Sequence, residues 1–199
     1  MHSAPLALAP LPRPGRALLP LLLLGATLGS ALDAIHTHFG ATAYPHPVFF
    51  GMAWWTPLLF GSAFAIGALR PLLDVWLAEP GAMAPRPRTW QLGVTWAAFI
   101  SAYFSSVLPL SWEPISALLT LYFVIGWLAC GRDRPSLAIA LLAALLGPAF
   151  EGLLVSQGAF VHLTDTRFGL PGWLPFLYLN AAVALTTLAR FLSTPPAPR

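Results

Sequence analysis

Lysine is absent from this sequence, and charged side chains of any kind are scarce. Only 9% of the 199 residues are charged, whereas 57% are hydrophobic, and an ordinary soluble domain carries roughly 25% charged residues. A soluble globular domain is therefore excluded, and the chain has room for one membrane domain. The formal charge of +3 is small and scattered along the chain, so the sequence indicates no nucleic-acid partner.

Cysteine is nearly absent as well, since Cys130 is the single thiol. One cysteine excludes an internal disulfide and a thiolate metal site. Histidines and acids gather on one predicted side of the membrane, but their spacing matches no closed zinc motif, so we predict no metal and no cofactor. These residues are Asp33, His36, His38, His46, His162 and Asp165.

Long apolar runs are abundant instead. A transmembrane helix needs about 20 mainly apolar residues, and we count six candidate runs. They lie at roughly 16–34, 48–69, 90–109, 113–130, 135–157 and 172–192. We therefore predict an all-α, polytopic membrane protein with six transmembrane helices in one domain over 16–193. Proline-rich tails at 1–15 and 194–199 are expected to be disordered.

The placement of arginines predicts the orientation of these spans. Nine of the ten arginines fall at the chain ends or in the second and fourth loops, and Arg167 is alone on the other side. Both termini should therefore be cytoplasmic. A cleavable signal peptide is the alternative for the first run, which has a charged start, a short apolar stretch and small residues at its end. Cleavage would leave the same loops on the same sides.

Glu151 is a carboxylate well inside the fifth predicted span. At that depth it costs about 2.5–3.5 kcal/mol on insertion scales and marks a cavity or a polar partner. Pro148, one turn earlier, frees a backbone carbonyl and bends the helix, which favours a lipid cavity lined by Glu151, Ser156 and Gln157. The alternative is a protonated Glu151 that bonds to a neighbouring helix. In both cases we expect Glu151 to be at least half buried and to face the bundle interior.

The stretch AWWTPLLFGSAFAIGALRPLLD begins with two tryptophans, which favour the headgroup region of a membrane. Trp54 and Trp55 therefore complete the predicted lipid-binding set. Small residues recur four apart in the helix that follows, and this spacing lets another helix approach closely. The pairs are Gly61 with Ala65 and Ala63 with Gly67.

Several of these features together resemble the Insig family, the insulin-induced gene proteins of sterol regulation. The resemblance covers nearly all of 16–193, and Arg16 also matches the family's spacing from the tryptophan pair, which favours an uncleaved first span. The matching motifs are AWW before Pro57, RPLLD, the pair Glu79-Pro80, GRDR at 131–134, WLP at 173–175 and ARFL near the end.

The resemblance implies a six-helix fold with cytosolic termini and no enzymatic activity. Eukaryotic members regulate sterol metabolism in the endoplasmic reticulum, where they bind oxysterols. They also hold sterol-sensing partners, namely the escort protein of the sterol-response transcription factors and HMG-CoA reductase. Prokaryotic relatives have a comparable cavity for a diacylglycerol-like lipid. The implied location is thus the endoplasmic reticulum membrane or a bacterial cytoplasmic membrane, and the implied partners are a diacylglycerol or sterol lipid and further copies of the chain.

Two departures from the family pattern affect the expected partners. Sterol-regulating members have an aspartate directly before the first loop arginine, where this chain has Gly131; Asp133 stands two residues on and would point elsewhere. Pro114 replaces a polar amide near the sterol pocket. We therefore expect lipid binding without tight capture of the escort protein, and the partner-binding loop is a hypothesis. Its residues are Gly131, Arg132, Asp133 and Arg134.

Two other functions compete with a lipid-binding regulator. A membrane-embedded lipid-modifying enzyme would use Glu151 and the side that carries His36, His38 and His162, although the sequence suggests no Ser/His/Asp set. A small transporter would want paired charges or inverted repeats near the midplane, and the sequence offers one carboxylate and no repeat.

The arginine distribution leads to a first testable prediction. A reporter fused to the C-terminus should give a cytoplasmic signal, because nine arginines oppose one across the alternating loops. A reporter fused in the loop around Arg167 serves as the control and should give the opposite signal. A non-cytoplasmic C-terminus would contradict the six-span topology.

Overall fold

The structure is a computed structural model that describes residues 13, 15–77, 85–164, 166–167 and 169–195. Within these residues the chain is mostly helical, with six long helical segments. Most of the predicted tails, together with Glu79, Pro80 and Asp165, lies outside the described residues.

The first two segments are each composed of two α-helices joined by a turn of different pitch. The first consists of α1 (Gly15–Leu24), a π-helical turn (Gly25–Gly29) and α2 (Ser30–His38). The second consists of α3 (Thr56–Ala65), a 3₁₀ turn (Ile66–Ala68) and α4 (Leu69–Leu77). The other segments are single helices, namely α5 (Thr89–Ser106), α6 (Trp112–Ala129), α7 (Arg134–Ser156) and α8 (Leu174–Ser193).

Five of these segments are long and apolar enough to cross a membrane. They are Gly15–His38, Thr56–Trp76, Trp112–Ala129, Arg134–Ser156 and Leu174–Ser193. The 18-residue α5 is less apolar, because Gln91, Thr95 and its serines dilute the apolar residues. The structure thus supports a multi-pass helical protein, while the count of six spans and the orientation of the termini stay predictions.

The second helix begins later than predicted, at Thr56 rather than near residue 48. Residues 48–55 form a turn instead, in which Phe50 and Gly51 have φ of 49° and 78°. A left-handed backbone cannot continue a right-handed helix, so the helix starts only after this turn. Trp54 and Trp55 therefore precede the helix, and Trp55 is its N-cap residue.

Short strands modify the all-α prediction. β1 (Thr42–Ala43) pairs with β2 (Val161–His162), and β3 (Thr166–Arg167) pairs with β4 (Leu170–Pro171), both antiparallel. The first pair sets Thr42 opposite His162. It joins the loop after α2 to the loop after α7 and so determines where His162 lies.

α8 is the central helix of the bundle. Of the residues in its apolar window 61% are buried, against 17% for α7, so α8 is surrounded by protein while α7 lies at the periphery of the bundle. A helix that is apolar on all sides belongs inside a bundle or a membrane. The core around it includes Leu21, Phe99, Leu119, Trp173 and Ala184.

Glycines let the helices approach one another closely, as the spacing of small residues predicts. A Cβ on Gly61 would lie 3.0 Å from the Leu22 carbonyl oxygen, and one on Gly67 would lie 3.0 Å from Leu185. The closest approach involves Gly25 in the π-helical turn, where a Cβ would lie 2.2 Å from the Phe60 carbonyl oxygen. The first segment therefore packs directly on the backbone of α3.

This contact generates a stability prediction. Gly25→Ala should destabilise the protein by about 1–3 kcal/mol, the usual cost of overpacking, because the obstructing atom is backbone and cannot rotate away. Thermal unfolding in detergent measures the effect.

Gly93→Ala is the matched control, since a Cβ on Gly93 meets no atom within 4 Å. It should be neutral or stabilising by about 0.5–1 kcal/mol, the helix preference for Ala over Gly. Equal melting temperatures for the two variants would contradict the close packing of the first segment on α3.

Candidate functional site

The carboxyl group of Glu151 is held by two side chains from other elements. The Tyr178 hydroxyl on α8 donates to Glu151 Oε1 at 2.7 Å, and His162 Nε2 on β2 lies 3.1 Å from Glu151 Oε2. Gly147 lies one helical turn before Glu151, on the same face of α7. A Cβ there would lie 2.3 Å from the Tyr178 ring. The missing side chain therefore makes the space through which Tyr178 reaches the carboxyl.

Glu151 is mostly buried, with 19% of its side chain exposed, and His162 is buried further, at 4%. This confirms that Glu151 is at least half buried and faces the bundle. Its partners also account for its place in an apolar helix, since a buried carboxyl is tolerated when it is hydrogen-bonded.

A second buried polar group adjoins the first at the same end of the bundle. The Tyr44 hydroxyl donates to Asp33 Oδ2 at 2.7 Å, and His36 Nδ1 lies 3.9 Å from Asp33 Oδ1. His36 Nε2 lies 2.8 Å from Ser106 Oγ. Burial, together with the neighbouring Asp33 carboxyl, raises the pKa of Tyr44 well above its usual range, so Tyr44 stays a hydrogen-bond donor.

Ser106, His36 and Asp33 are arranged in the order of a catalytic triad, but the direction of the hydrogen bond between His36 and Ser106 is opposite to that which catalysis requires. The Ser106 hydroxyl donates its only proton to the Tyr103 carbonyl oxygen at 2.7 Å, so His36 Nε2 must be the donor to Ser106. A general base has to accept that proton. Ser106 is also only 1% exposed, and a hydrogen-bonded structural cluster is what this geometry supports.

Arg70 is a buried charged residue at the opposite end of the bundle. It is 1% exposed, and its Nη2 lies 2.8 Å from Asp133 Oδ1 and 2.9 Å from Oδ2. Its Nη1 donates to Asp74, and Arg190 Nε of α8 lies 3.4 Å from Asp74 Oδ2. These contacts join α4, α8 and the loop before α7; we call this end of the bundle the arginine end.

Asp133 has a second task as the N-cap of α7, where it accepts from the Ser136 backbone N–H at 3.3 Å. Burial alone would raise its pKa, but hydrogen bonds from Ser136 and the charges of Arg70 and Arg190 lower the pKa below the usual range. A lowered pKa means that this stabilisation is present above the usual aspartate pKa. It is lost as the pH falls through the lowered value.

An apolar groove opens between α1, α5 and α8. Its volume is about 400 Å³, and it is a shallow groove open to the outside rather than an enclosed pocket. The lining lacks charged and hydrogen-bonding groups apart from the indole N–H of Trp96, and the open space beside Gly93 is part of it. The lining residues are Leu24, Leu28, Leu92, Gly93, Trp96 and Leu188.

Comparison with known proteins identifies the family, although no protein-family model matches the chain. The chain is 32% identical over 169 residues to an INSIG protein homolog of Mycolicibacterium vanbaalenii, with 79% of this chain and 76% of that protein covered. The chain belongs to the Insig family. It is also 28% identical to the insulin-induced gene 1 protein of Danio rerio, with 88% of this chain and 71% of that protein covered.

The fold agrees with this assignment. A crystal structure of MvINS, a mycobacterial Insig homolog from Mycobacterium vanbaalenii, matches with a TM-score of 0.75 at 28% identity, covering 91% of this chain and 95% of MvINS. A cross-linked MvINS trimer matches with a TM-score of 0.74. The predicted resemblance to Insig is thereby confirmed. Membership supports an integral, multi-pass membrane protein with a regulatory role in sterol or lipid metabolism.

The predicted lipid-binding residues lie near the same end of the bundle but differ in exposure. Trp55 packs against Tyr44 in a buried cluster of the loop residues, whereas Trp54 is 66% exposed. Ser156 and Gln157 are exposed at the end of α7, where the Ser156 hydroxyl donates back to the Leu153 carbonyl oxygen. Their role in binding stays a prediction.

The predicted Insig partner loop divides into outward and inward residues. Gly131, Arg132 and Arg134 are exposed, and Gly131 and Arg132 turn the chain with φ of 74° and 60°. Asp133 points inward to Arg70. Its carboxylate is therefore not directed at a partner, in agreement with its position two residues after the site of the family aspartate.

The predicted histidine side of the chain separates into buried and exposed members. His36 and His162 enter the polar clusters described above, while His38 and His46 are exposed. Across the described ranges no group of three or more His, Cys, Asp or Glu side chains could hold a metal ion. A metal-free protein stays a prediction, which metal analysis of the purified protein would test.

Tyr44, Arg70, Tyr178 and Arg190 are the partners that sequence reasoning missed. One signal was present, because Arg70 and Asp74 are four apart on one helix, a spacing that allows ion pairing. Tyr178 could have been suspected from Gly147, a glycine one turn from the buried carboxyl. The Tyr44 contact depends on a loop and left no pattern in the sequence.

The Glu151 contacts lead to a mutational prediction. Glu151→Gln should cost ~1 kcal/mol or less, because an amide oxygen still accepts from Tyr178 and an amide can pair with a neutral His162. Glu151→Arg should cost about 3–5 kcal/mol, since it buries a cation without a partner. The yield of monodisperse protein and its melting temperature measure both.

Glu113→Arg is the control, because this carboxylate is exposed at the start of α6 and its replacement should change little. Equal loss of folded protein from Glu151→Gln and Glu151→Arg would mean that the carboxylate makes a contact that the amide cannot replace.

Proposed function

We propose that this Insig-family chain is a non-enzymatic regulator that binds a membrane lipid, diacylglycerol-like or a sterol, with the apolar part of the lipid in the groove between α1, α5 and α8. The observation that carries the proposal is the almost entirely apolar lining of that groove, in which the indole N–H of Trp96 is the one polar group among the lining residues. A lipid chain that comes from the bilayer would be held there by van der Waals packing against these apolar side chains, because its removal from water has already taken place.

The position of the groove also supports lipid access. Leu24 and Leu28 lie in the middle of the first helical segment, and Leu92 and Trp96 lie in the first turns of α5. The groove therefore lies on the side of the bundle, where membrane lipid would surround the protein, and it extends toward the arginine end. A ligand that enters from the bilayer would meet no polar barrier.

Glu151 is a weaker candidate for the primary lipid contact, because its two oxygens already have partners in Tyr178 and His162. A lipid hydroxyl would have to replace one of them. We retain a secondary lipid contact at the end of the bundle opposite the arginine end. Its proposed residues are Glu151, Trp54, Trp55, Ser156 and Gln157.

The regulatory part of the proposal concerns partner proteins. Exposed Arg132 and Arg134 would face a partner in the loop before α7, with sterol-sensing-domain proteins as candidates if the membrane is that of the endoplasmic reticulum. In a bacterial cytoplasmic membrane we propose lipid binding without those partners. The cross-linked MvINS trimer supports a homo-oligomer in either case.

The alternative of a lipid-modifying enzyme has one observation in its favour, the contact of His36 with Ser106 at 2.8 Å. The direction of that hydrogen bond and the burial of Ser106 argue against it. Ester hydrolysis that disappears with Ser106→Ala would establish the enzyme instead.

A binding experiment tests the lipid proposal. Gly93→Phe should fill the open space in the groove and lower lipid affinity about tenfold or more, equivalent to ~1.4 kcal/mol. The measurement uses detergent-solubilised protein with diacylglycerol, an oxysterol and phosphatidylcholine as separate ligands.

Leu142→Phe is the matched control, since Leu142 is 55% exposed on α7, away from the groove. It should leave binding unchanged. Identical affinities for all three lipids, or no effect of Gly93→Phe on any of them, would contradict the groove as the binding site.

A further inference from the structure

Three elements that line the groove converge at the arginine end of the bundle. The backbone N–H of Arg13, just before α1, donates to the Ser193 carbonyl oxygen of α8 at 2.9 Å. Arg86, just before α5, donates from Nε to the Phe191 carbonyl oxygen at 3.0 Å, and its guanidinium lies 3.9 Å from the centre of the Phe191 ring. The starts of α1 and α5 therefore both flank the last turn of α8.

Besides Arg86, two groups of arginines lie at this end and differ in their partners. Arg70 and Arg190 are paired with carboxylates inside the bundle. Arg13, Arg16 and Arg88 are exposed, and among the residues that the structure describes no carboxylate pairs with them. We call this second group the arginine rim.

The arginine rim lies directly beyond the groove. Arg88 is four residues before Leu92, about 6 Å along the axis at 1.5 Å per residue. Arg16 is eight residues before Leu24, about 12 Å by the same rise. Trp90, between Arg88 and the groove residues of α5, is 52% exposed, and exposed tryptophans favour the headgroup depth of a bilayer. The rim is therefore placed where lipid phosphates lie.

We propose that the groove and the arginine rim together bind an anionic glycerophospholipid from the leaflet on that side, with an acyl chain in the groove and the phosphate headgroup on Arg16 and Arg88. This inference rests on the proposed function and specifies its ligand class. Guanidinium groups bind phosphate through paired N–H donors, and the apolar groove supplies the contact that a soluble anion would lack. The glycerol backbone and acyl chains of such a lipid are those of a diacylglycerol.

The charge of the headgroup is what the rim should select. Each basic residue near an anionic membrane surface contributes ~1 kcal/mol, a factor of about five in affinity. Phosphatidylcholine also has a phosphate, but its choline cancels the charge. The other exposed arginines, Arg132 and Arg134, belong to the loop between α6 and α7 and adjoin no groove residue in sequence, so they supply matched controls.

Native mass spectrometry of the full-length protein provides the test. Delipidated protein is offered an equimolar mixture of phosphatidylglycerol, phosphatidylcholine and diacylglycerol with identical acyl chains. The wild type should retain phosphatidylglycerol over phosphatidylcholine by tenfold or more. Arg16→Gln with Arg88→Gln should reduce that preference to about twofold or less, while Arg132→Gln with Arg134→Gln should leave it unchanged. Higher salt should weaken the preference, because salt screens exposed charges.

Each failure has a separate meaning. If Gly93→Phe lowers lipid retention but the wild type has no preference for phosphatidylglycerol, the inference is overturned and the groove proposal stands. If all four arginines contribute equally, the charge is a general surface effect and the inference is overturned as well. If the wild type retains none of the three lipids, the inference is overturned and the diacylglycerol form of the proposed function fails with it, while the separate oxysterol measurement decides the sterol form. Melting temperatures of all variants in detergent distinguish lost binding from lost folding.

Discussion

Arg70 is a permanently charged group inside a membrane protein, and much of the bundle is arranged around it. A guanidinium cannot lose its proton at the pH of a cell, and leaving a buried charge unpaired costs about 3–5 kcal/mol. Asp74 meets it from the same helix, and Asp133 meets it from the loop before α7. Because Arg190 of α8 adjoins both carboxylates, three helices are held together by one requirement for neutrality.

At the end of the bundle opposite the arginine end, buried carboxyl groups are stabilised by uncharged hydrogen-bond donors. Glu151 and Asp33 are met mainly by tyrosine and histidine rather than arginine, so their carboxyl groups need no fixed countercharge. The two ends thus differ in kind: an ion-pair network at one and a hydrogen-bonded cluster at the other. In both, most polar side-chain atoms contact one another, while His162 Nδ1 and Arg190 Nε are buried without a hydrogen-bond partner among the described residues. Because their polar groups are engaged with one another, both clusters stabilise the fold. The group of Asp33, His36 and Ser106 resembles a catalytic triad only in its residue types.

Sequence reasoning predicted the features that depend on composition and local spacing. The apolar runs located the helices, and the small residues Gly61 and Gly67 mark real close contacts. It placed the second helix start wrongly, because the left-handed turn at Phe50 interrupts an otherwise apolar run. It also could not pair Glu151 with His162, because that contact depends on the register of β1 with β2. Side chains that meet through a loop, a short strand or a helix distant in sequence produce no periodic pattern of residues from which their contact could be predicted.

Family membership and these contacts together indicate how the chain can differ from its relatives while keeping the fold. Asp133 caps α7 and neutralises Arg70 at once, so it cannot also be offered to a partner without exposing a buried charge. A carboxylate at Gly131 would be exposed by contrast, because that residue lies on the turn surface. Among the described residues, exposed arginines such as Arg16 and Arg88 and the exposed indole of Trp90 lie at this end. Positive and apolar groups together complement the phosphates and acyl chains of anionic lipids, and this complementarity is the physical basis of the lipid binding that we propose at this end.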